Sequence, residues 1–229
     1  TPVSAAETGQ LTNPPTSTEE LSSPESISGN EAASALNGLS VLAANGEAEV
    51  TTASELTGAL ADSSISRITL KGDIDIGSTL TVNRTVTLDL NGCVLKMTGS
   101  DSVIKVEADG DLTISGGTFT AESTVVGSDY FAGGANTGKL TISKGTFTSE
   151  NSGTAISMGD GADLTLTGGT FQTQGDGSSY VISLAETATA EISGGSFPGA
   201  EAARVVNSSD AFRDGYGVVK NPDGSLSVG

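Results

Sequence analysis

From residue 68 onward, apolar side chains alternate with Thr, Ser, Asp and Lys in short runs: ITL, DIDI, LTV, VTLDL and many more. Alternation with period two marks a strand that buries one face. Aligning the runs exposes a repeat. VTLDLNGCVL (86–95), DLTISGGTF (111–119), KLTISKGTF (139–147), DLTLTGGTF (163–171) and AEISGGSF (190–197) share one frame. Each carries an apolar pair two residues apart: Leu88/Leu90, Leu112/Ile114, Leu140/Ile142, Leu164/Leu166 and Ala190/Ile192. Seven residues after the first member stands Leu95, Phe119, Phe147, Phe171 or Phe197, a period of 24, 28, 24 and 26 residues. ITLKGDIDI (68–76) is a more divergent first copy. A further strand position, at Val103, Phe131, Ala155 and Val181, precedes the next copy by a constant nine residues. Only the segment leading to that strand changes length, at 8, 12, 8 and 10 residues.

One such unit cannot bury its own apolar face, so several must stack. Stacked units place equivalent residues above one another at the strand spacing of ~4.8 Å. The pattern therefore predicts an all-β solenoid, a parallel β-helix of about six coils. Leu112, Ile114 and Phe119 point inward, Thr113, Thr118 and Thr120 outward, and Gly116-Gly117 and their equivalents turn the corners. The phenylalanine column reads as a core stack rather than a surface platform for sugars. Both ends of such a rod need covering. Thr52 and Glu55 have capping-box spacing ahead of Leu56, Ala59 and Leu60, which predicts a capping helix over 52–62. GVVKNPDGSLSV (217–228) reads as a closing β-hairpin, with Asn221-Pro222-Asp223-Gly224 as a type I turn and Ala211, Phe212 and Tyr216 packed beneath.

Residues 1–48 differ in kind: thirteen Ser/Thr, four of the six prolines, six Glu and no Lys, Arg or aromatic residue. Such a segment buries too little apolar area to offset its ordering entropy, so it is expected to be a disordered arm or linker. A short amphipathic stretch within it (Ala32, Ala35, Leu36, Leu39) has the spacing to dock as a helix. The β-helix domain then spans 49–229. No apolar run approaches the ~20 residues of a membrane span. No signal-peptide or wall-anchor pattern is present, as expected of a mature or trimmed chain.

Charge narrows the chemistry. The 28 acidic residues outnumber the 10 basic ones, for a net charge of −18, and His is absent. A nucleic-acid partner is disfavoured, because phosphates need Lys and Arg. Without His there is no imidazole base and no Ser-His or Cys-His pair. The lone Cys93 allows neither an intrachain disulfide nor a thiolate cluster. No cofactor and no metal site is expected. Asp109-Gly110-Asp111 and Asp160-Gly161-Ala162-Asp163 faintly resemble a Ca²⁺-binding repeat, but the following leucines sit at the wrong offset, and plain turns explain them better. The Thr-x-Thr array around Phe119 and Phe147 suits an ice-binding face, yet the series breaks at Gln172 and Pro198. Exposed Thr is in any case a favoured strand residue.

The order ASELTGAL, SRITLKGDIDI, TVNRTVTLDLNG, repeated LTISGGTF units and a closing GYGVVKNPDGSLSV resembles the pectate-lyase-like, right-handed β-helix superfamily over roughly residues 50–229. Within it the chain is similar to non-catalytic, secreted or wall-attached surface proteins of Gram-positive bacteria described as adhesins. Enzymes of that superfamily use Ca²⁺-bound carboxylates with a basic residue, or several Asp with GHG and RIK motifs. This chain has neither motif, and Arg67, Lys71, Arg84, Lys96, Lys105, Lys139 and Lys144 share no repeat position. The resemblance thus implies a secreted or cell-surface adhesin, with a polysaccharide lyase or glycosidase and a ligand-free spacer as alternatives. Variable segments of repeat proteins gather on the binding face. Here they carry Asp101, Glu122, Asp129, Tyr130, Glu150, Asn151, Gln172, Gln174, Asp176 and Tyr180. Tyrosines among carboxylates and amides suit weak recognition of a glycan or similar polymer. The competing reading is an ordinary solvated loop edge.

Overall fold

The computed structural model describes residues 42–127, 137–151, 154–174 and 179–229. The amphipathic stretch at 32–39 lies outside them. The chain winds as a parallel β-solenoid of about six coils with three faces. Face A is an eight-stranded sheet that runs in order through Leu42–Ala44, Glu47–Val50, Arg67–Leu70, Thr85–Asp89, Asp111–Ser115, Lys139–Ile142, Asp163–Leu166 and Thr189–Ile192. Face B stacks Ile74–Ile76, Val94–Met97, Thr118–Ala121, Thr146–Ser149, Thr170–Thr173 and Ser196–Phe197, then ends in the hairpin Val218–Lys220/Leu226–Val228. Face C is narrower. It pairs Leu80–Val82 with Ile104–Val106 and Ile156–Met158 with Ile182–Leu184, linked through single bridges at Val126 and Val206.

Alternation becomes burial as expected. The inward column Ala48, Ile68, Leu88, Ile114, Ile142, Leu166 and Ile192 is in register on face A and buried throughout. On face B, Leu95, Phe119, Phe147, Phe171 and Phe197 occupy one column. The rings stack at 4.9, 5.0 and 5.4 Å between centroids, with interplanar angles of 4°, 12° and 20°, and all are fully buried. These spacings are those of the strands, so each ring rides on its own rung. The corner before each ring requires glycine. Gly169 has φ +107, and a Cβ there would lie 3.1 Å from the Phe171 ring. An L side chain is both strained and crowded at that position.

The structure corrects the register of the first long coil. Val86 and Leu88, not Leu88 and Leu90, pair with Leu112 and Ile114. The A–B corner of that coil is therefore two residues longer, and it turns through Asn91 and Gly92 at φ 50 and 82. Leu90 drops into the corner, fully buried beneath Gly117, where a Cβ would sit 2.0 Å from the Leu90 Cβ. A slip of two residues keeps every side chain on its face, so alternation alone does not detect it.

A second correction concerns face C. Val125, not Phe131, takes the place equivalent to Val103 and Ala155: Val103 N donates to Val125 O and Val125 N to Ala155 O, both at 3.0 Å. Phe131 lies outside the described residues.

The ends are closed by non-repeating sequence. The helix Ala53–Ala61 follows the expected capping box at Thr52 and Glu55 and buries Leu56, Ala59 and Leu60 against the first coil. Arg84, from the next coil, holds its C-terminal end. Its guanidinium donates to Ala59 O (2.8 Å), Leu60 O (3.0 Å) and Ile65 O. Ahead of the helix, Leu42–Ala44 and Glu47–Val50 form an antiparallel hairpin, so regular structure starts before the expected boundary at 48. Its Asn45-Gly46 turn has both φ angles positive, 56 and 78, as a two-residue hairpin loop demands.

At the far end the expected turn is present, with Gly224 N donating to Asn221 O at 2.9 Å. Ala211 is buried, and Phe212 bridges to Ile192 at the end of face A, not beneath the hairpin, which closes face B. Tyr216 is exposed. No helix among the described residues is long and apolar enough to cross a membrane.

Candidate functional site

The corrected register changes where the variable segments fall. On the B–C corner, the lengths from Leu95 to Val103, Phe119 to Val125, Phe147 to Ala155 and Phe171 to Val181 are 8, 6, 8 and 10 residues. The longest insertion sits elsewhere. Gly127 still belongs to face C, its N bonded to Ile104 O, and Thr137 N bonds to Val106 O at the start of the C–A corner. In the sequence the extra residues fall between these two points, after face C rather than before it. Asp129 and Tyr130 belong to that insertion, and with Asp176 they lie outside the described residues.

Six of the remaining candidates lie along the B–C corner, Asp101, Glu122, Glu150, Asn151, Gln174 and Tyr180, and four of them are tied by backbone bonds. The face B ladder continues past its strands to order them. Glu150 N donates to Ala121 O, Asn151 N to Glu122 O and Gln174 N to Ser149 O, at 2.8, 2.8 and 3.1 Å. Glu122, Glu150 and Gln174 are thereby stacked on successive rungs, all exposed. Like charges one rung apart disfavour each other, which makes this a locally unfavourable arrangement. Gln172 stands apart on face B itself, its amide oxygen 3.5 Å from the Thr148 hydroxyl. Tyr180 is half-buried at the entry to face C, with the Arg204 guanidinium 5.1 Å from its ring centroid.

Beneath this corner the interior is unusually polar. The four buried polar side chains of the described residues, Ser102, Ser123, Thr124 and Ser149, all lie here. The signal that would have located the corner is an apolar doublet: Val103-Ile104, Val125-Val126, Ala155-Ile156, Val181-Ile182 and Val205-Val206. The first member turns inward at the corner and the second opens the strand. Adjacent inward residues break alternation, so a search for period two passes over them.

The other chemistry-bearing residues have structural employment. Arg67 pairs with Asp89 at 2.5 Å, Lys71 with Glu49 at 2.7 Å and Lys105 with Glu107 at 3.8 Å. Burial lowers the pKa of Arg84, against a smaller opposing pull from Asp62. The Asp/Gly segments close β-turns, Gly110 N to Glu107 O and Ala162 N to Gly159 O. Asp160 accepts from the Thr187 hydroxyl at 3.0 Å. No group of three or more acidic or Cys side chains among the described residues is placed to hold a metal ion. On face A, Lys139 stands in register between Asp111 and Asp163.

A family model described as "Putative pectate lyase-like adhesive domain" matches residues 47–175, more than half of the chain. Its first residue opens the strand Glu47–Val50, and its last falls just beyond Gln174. Neither a curated protein nor a solved structure matches the chain.

Proposed function

We propose that this chain, which belongs to the family of pectate lyase-like adhesive domains, is a non-enzymatic module of a secreted or cell-surface bacterial protein that holds a glycan or related surface polymer along its B–C corner. The observation that carries the reading is the exposed column Glu122, Glu150 and Gln174 on consecutive rungs. A rigid sheet spaces these polar groups at ~4.8 Å, a regular array of acceptors and one amide suited to the repeating hydroxyls of a polymer. Stacked carboxylates bring no stability of their own, so contact with a partner is a better reason for them than folding. A net charge of −18 repels polyanions and favours a mainly neutral or amino-sugar chain, an effect screened beyond ~8 Å at physiological salt.

Binding to an immobilised polysaccharide panel tests this. Glu150→Ala combined with Gln174→Ala is expected to weaken the best ligand about tenfold, the loss of one to two hydrogen bonds. Thr141→Ala on face A leaves it unchanged. Equal loss from both variants, or from neither, removes the B–C corner from consideration, and silence across the panel favours a ligand-free spacer.

One observation favours a second reading, cleavage of a polysaccharide: Lys139 lies between two carboxylates on face A. Release of unsaturated or reducing ends that disappears in Lys139→Ala would establish it.

A further inference from the structure

The chain has four arginines, and three of them find acceptors: Arg67 at Asp89, Arg84 at the helix carbonyls and Arg213 at Glu191. Arg204 differs. Its guanidinium lies over the Tyr180 ring at 5.1 Å, and among the described residues it has no carboxylate or carbonyl partner. This is notable in a chain with 28 acidic residues.

Its position is fixed by the backbone. Val181 N donates to Arg204 O and Arg204 N to Glu201 O, both at 2.8 Å, so Tyr180 and Arg204 occupy adjacent rungs. Contact with a ring uses no N–H···O bond, so the guanidinium keeps N–H donors for an oxygen acceptor. A guanidinium presents parallel donors matched to the two oxygens of a carboxylate. Because the ring already restrains the side chain, less freedom is lost when a ligand arrives.

We propose that Arg204, held over the Tyr180 ring, is a carboxylate-binding subsite at the C-terminal end of the B–C corner, and that it takes a single acidic sugar borne on an otherwise neutral glycan. The inference deepens the adhesive reading and rests on it for the polymer, but the contact itself is testable alone. The surrounding negative charge sets the specificity: one carboxylate can reach the guanidinium, whereas a polyuronate carries its neighbouring charges against the acidic corner.

The test follows the arginine side-chain N–H signals of the ¹⁵N-labelled protein, with the Arg204 signal assigned by its absence in Arg204→Lys. Free glucuronate is titrated in, with glucose as the neutral control. A saturable shift of the Arg204 signal with glucuronate alone is expected. Binding of a neutral oligosaccharide is then compared with the same chain tipped by one acidic sugar. The tipped chain is expected to bind roughly tenfold tighter, a preference lost in Arg204→Gln and in Arg204→Lys, which keeps the charge without the fork. Tyr180→Phe retains the preference and Tyr180→Leu reduces it. If the Arg204 signal ignores glucuronate, or Arg204→Gln keeps the preference, the subsite is refuted even where neutral polymers bind. If the signal responds while every polymer is silent, the subsite stands and the adhesive reading falls.

Discussion

The two ends of the rod meet the same difficulty by opposite means. At the N-terminal end a short hairpin edges face A and one helix lies across the first coil, its end carbonyls gathered by a single cation, Arg84. At the C-terminal end three short pieces each finish one face. Phe212 continues face A, the 218–228 hairpin pairs with Ser196–Phe197 on face B, and Val205–Val206 completes face C. On face C the Asn207 side chain substitutes for a strand: its amide oxygen accepts from Leu184 N and its amide nitrogen donates to Leu184 O, both at 2.8 Å. A helix cap pinned by one residue fails as a unit, while a divided closure fails face by face.

The comparison breaks most readily at Arg84. Arg84→Met keeps the packing stem but strands the carbonyls of Ala59, Leu60 and Ile65, and it is expected to lower unfolding free energy by about 2–3 kcal/mol. Hydrogen exchange then rises together across the helix and the first coil; a rise confined to the helix would show the cap to be separable. Asn207→Ala should remove about 1–2 kcal/mol, with faster exchange at Leu184 and little change on faces A and B. If all three faces loosen, the C-terminal end is not divided after all.

The smallest effects concern the start of the helix. Thr52→Ala loses the side chain that caps Glu55 N, for about 1 kcal/mol in thermal unfolding. The Glu55 carboxylate accepts from Thr51 N, the Thr51 hydroxyl and Thr52 N, which holds its pKa below the ordinary glutamate value. Its stabilisation is therefore complete above that value and drains as pH falls through the lowered one. The gap in stability between the native chain and Glu55→Gln should accordingly narrow on acidification from about pH 5 downward. A gap that is constant with pH would remove the carboxylate from the cap.

How far each part was legible follows from how local its signal is. The capping box, the NPDG turn and the Gly-x-Phe corners are contiguous, and each specifies one backbone conformation, so the sequence read them correctly. The phenylalanine column was legible because its offset from the corner glycine is constant. Registers that depend on a corner's length were not. Leu88 and Leu90 fit the repeat as well as Val86 and Leu88 do, and only the space beneath Gly117 decides between them. Phe131 preserved the nine-residue spacing, yet the Val125-Val126 doublet fills face C, a choice that the constant offset alone does not reveal. The Asn45-Gly46 hairpin signal was present but lay inside a stretch whose composition argued for disorder. Tyr180 was singled out for its ring, while its pairing with Arg204 joins residues whose proximity no local pattern announces.

The direction of the backbone ladder has a mechanical meaning. In all three faces the hydrogen bonds run along the rod, so tension pulling the two ends apart loads one rung at a time rather than a whole sheet in shear. Each rung that lets go frees about 24 residues, a tether of roughly 80 Å when drawn out. A domain built this way yields in steps under axial load, dissipating work by unspooling while the remaining coils stay folded.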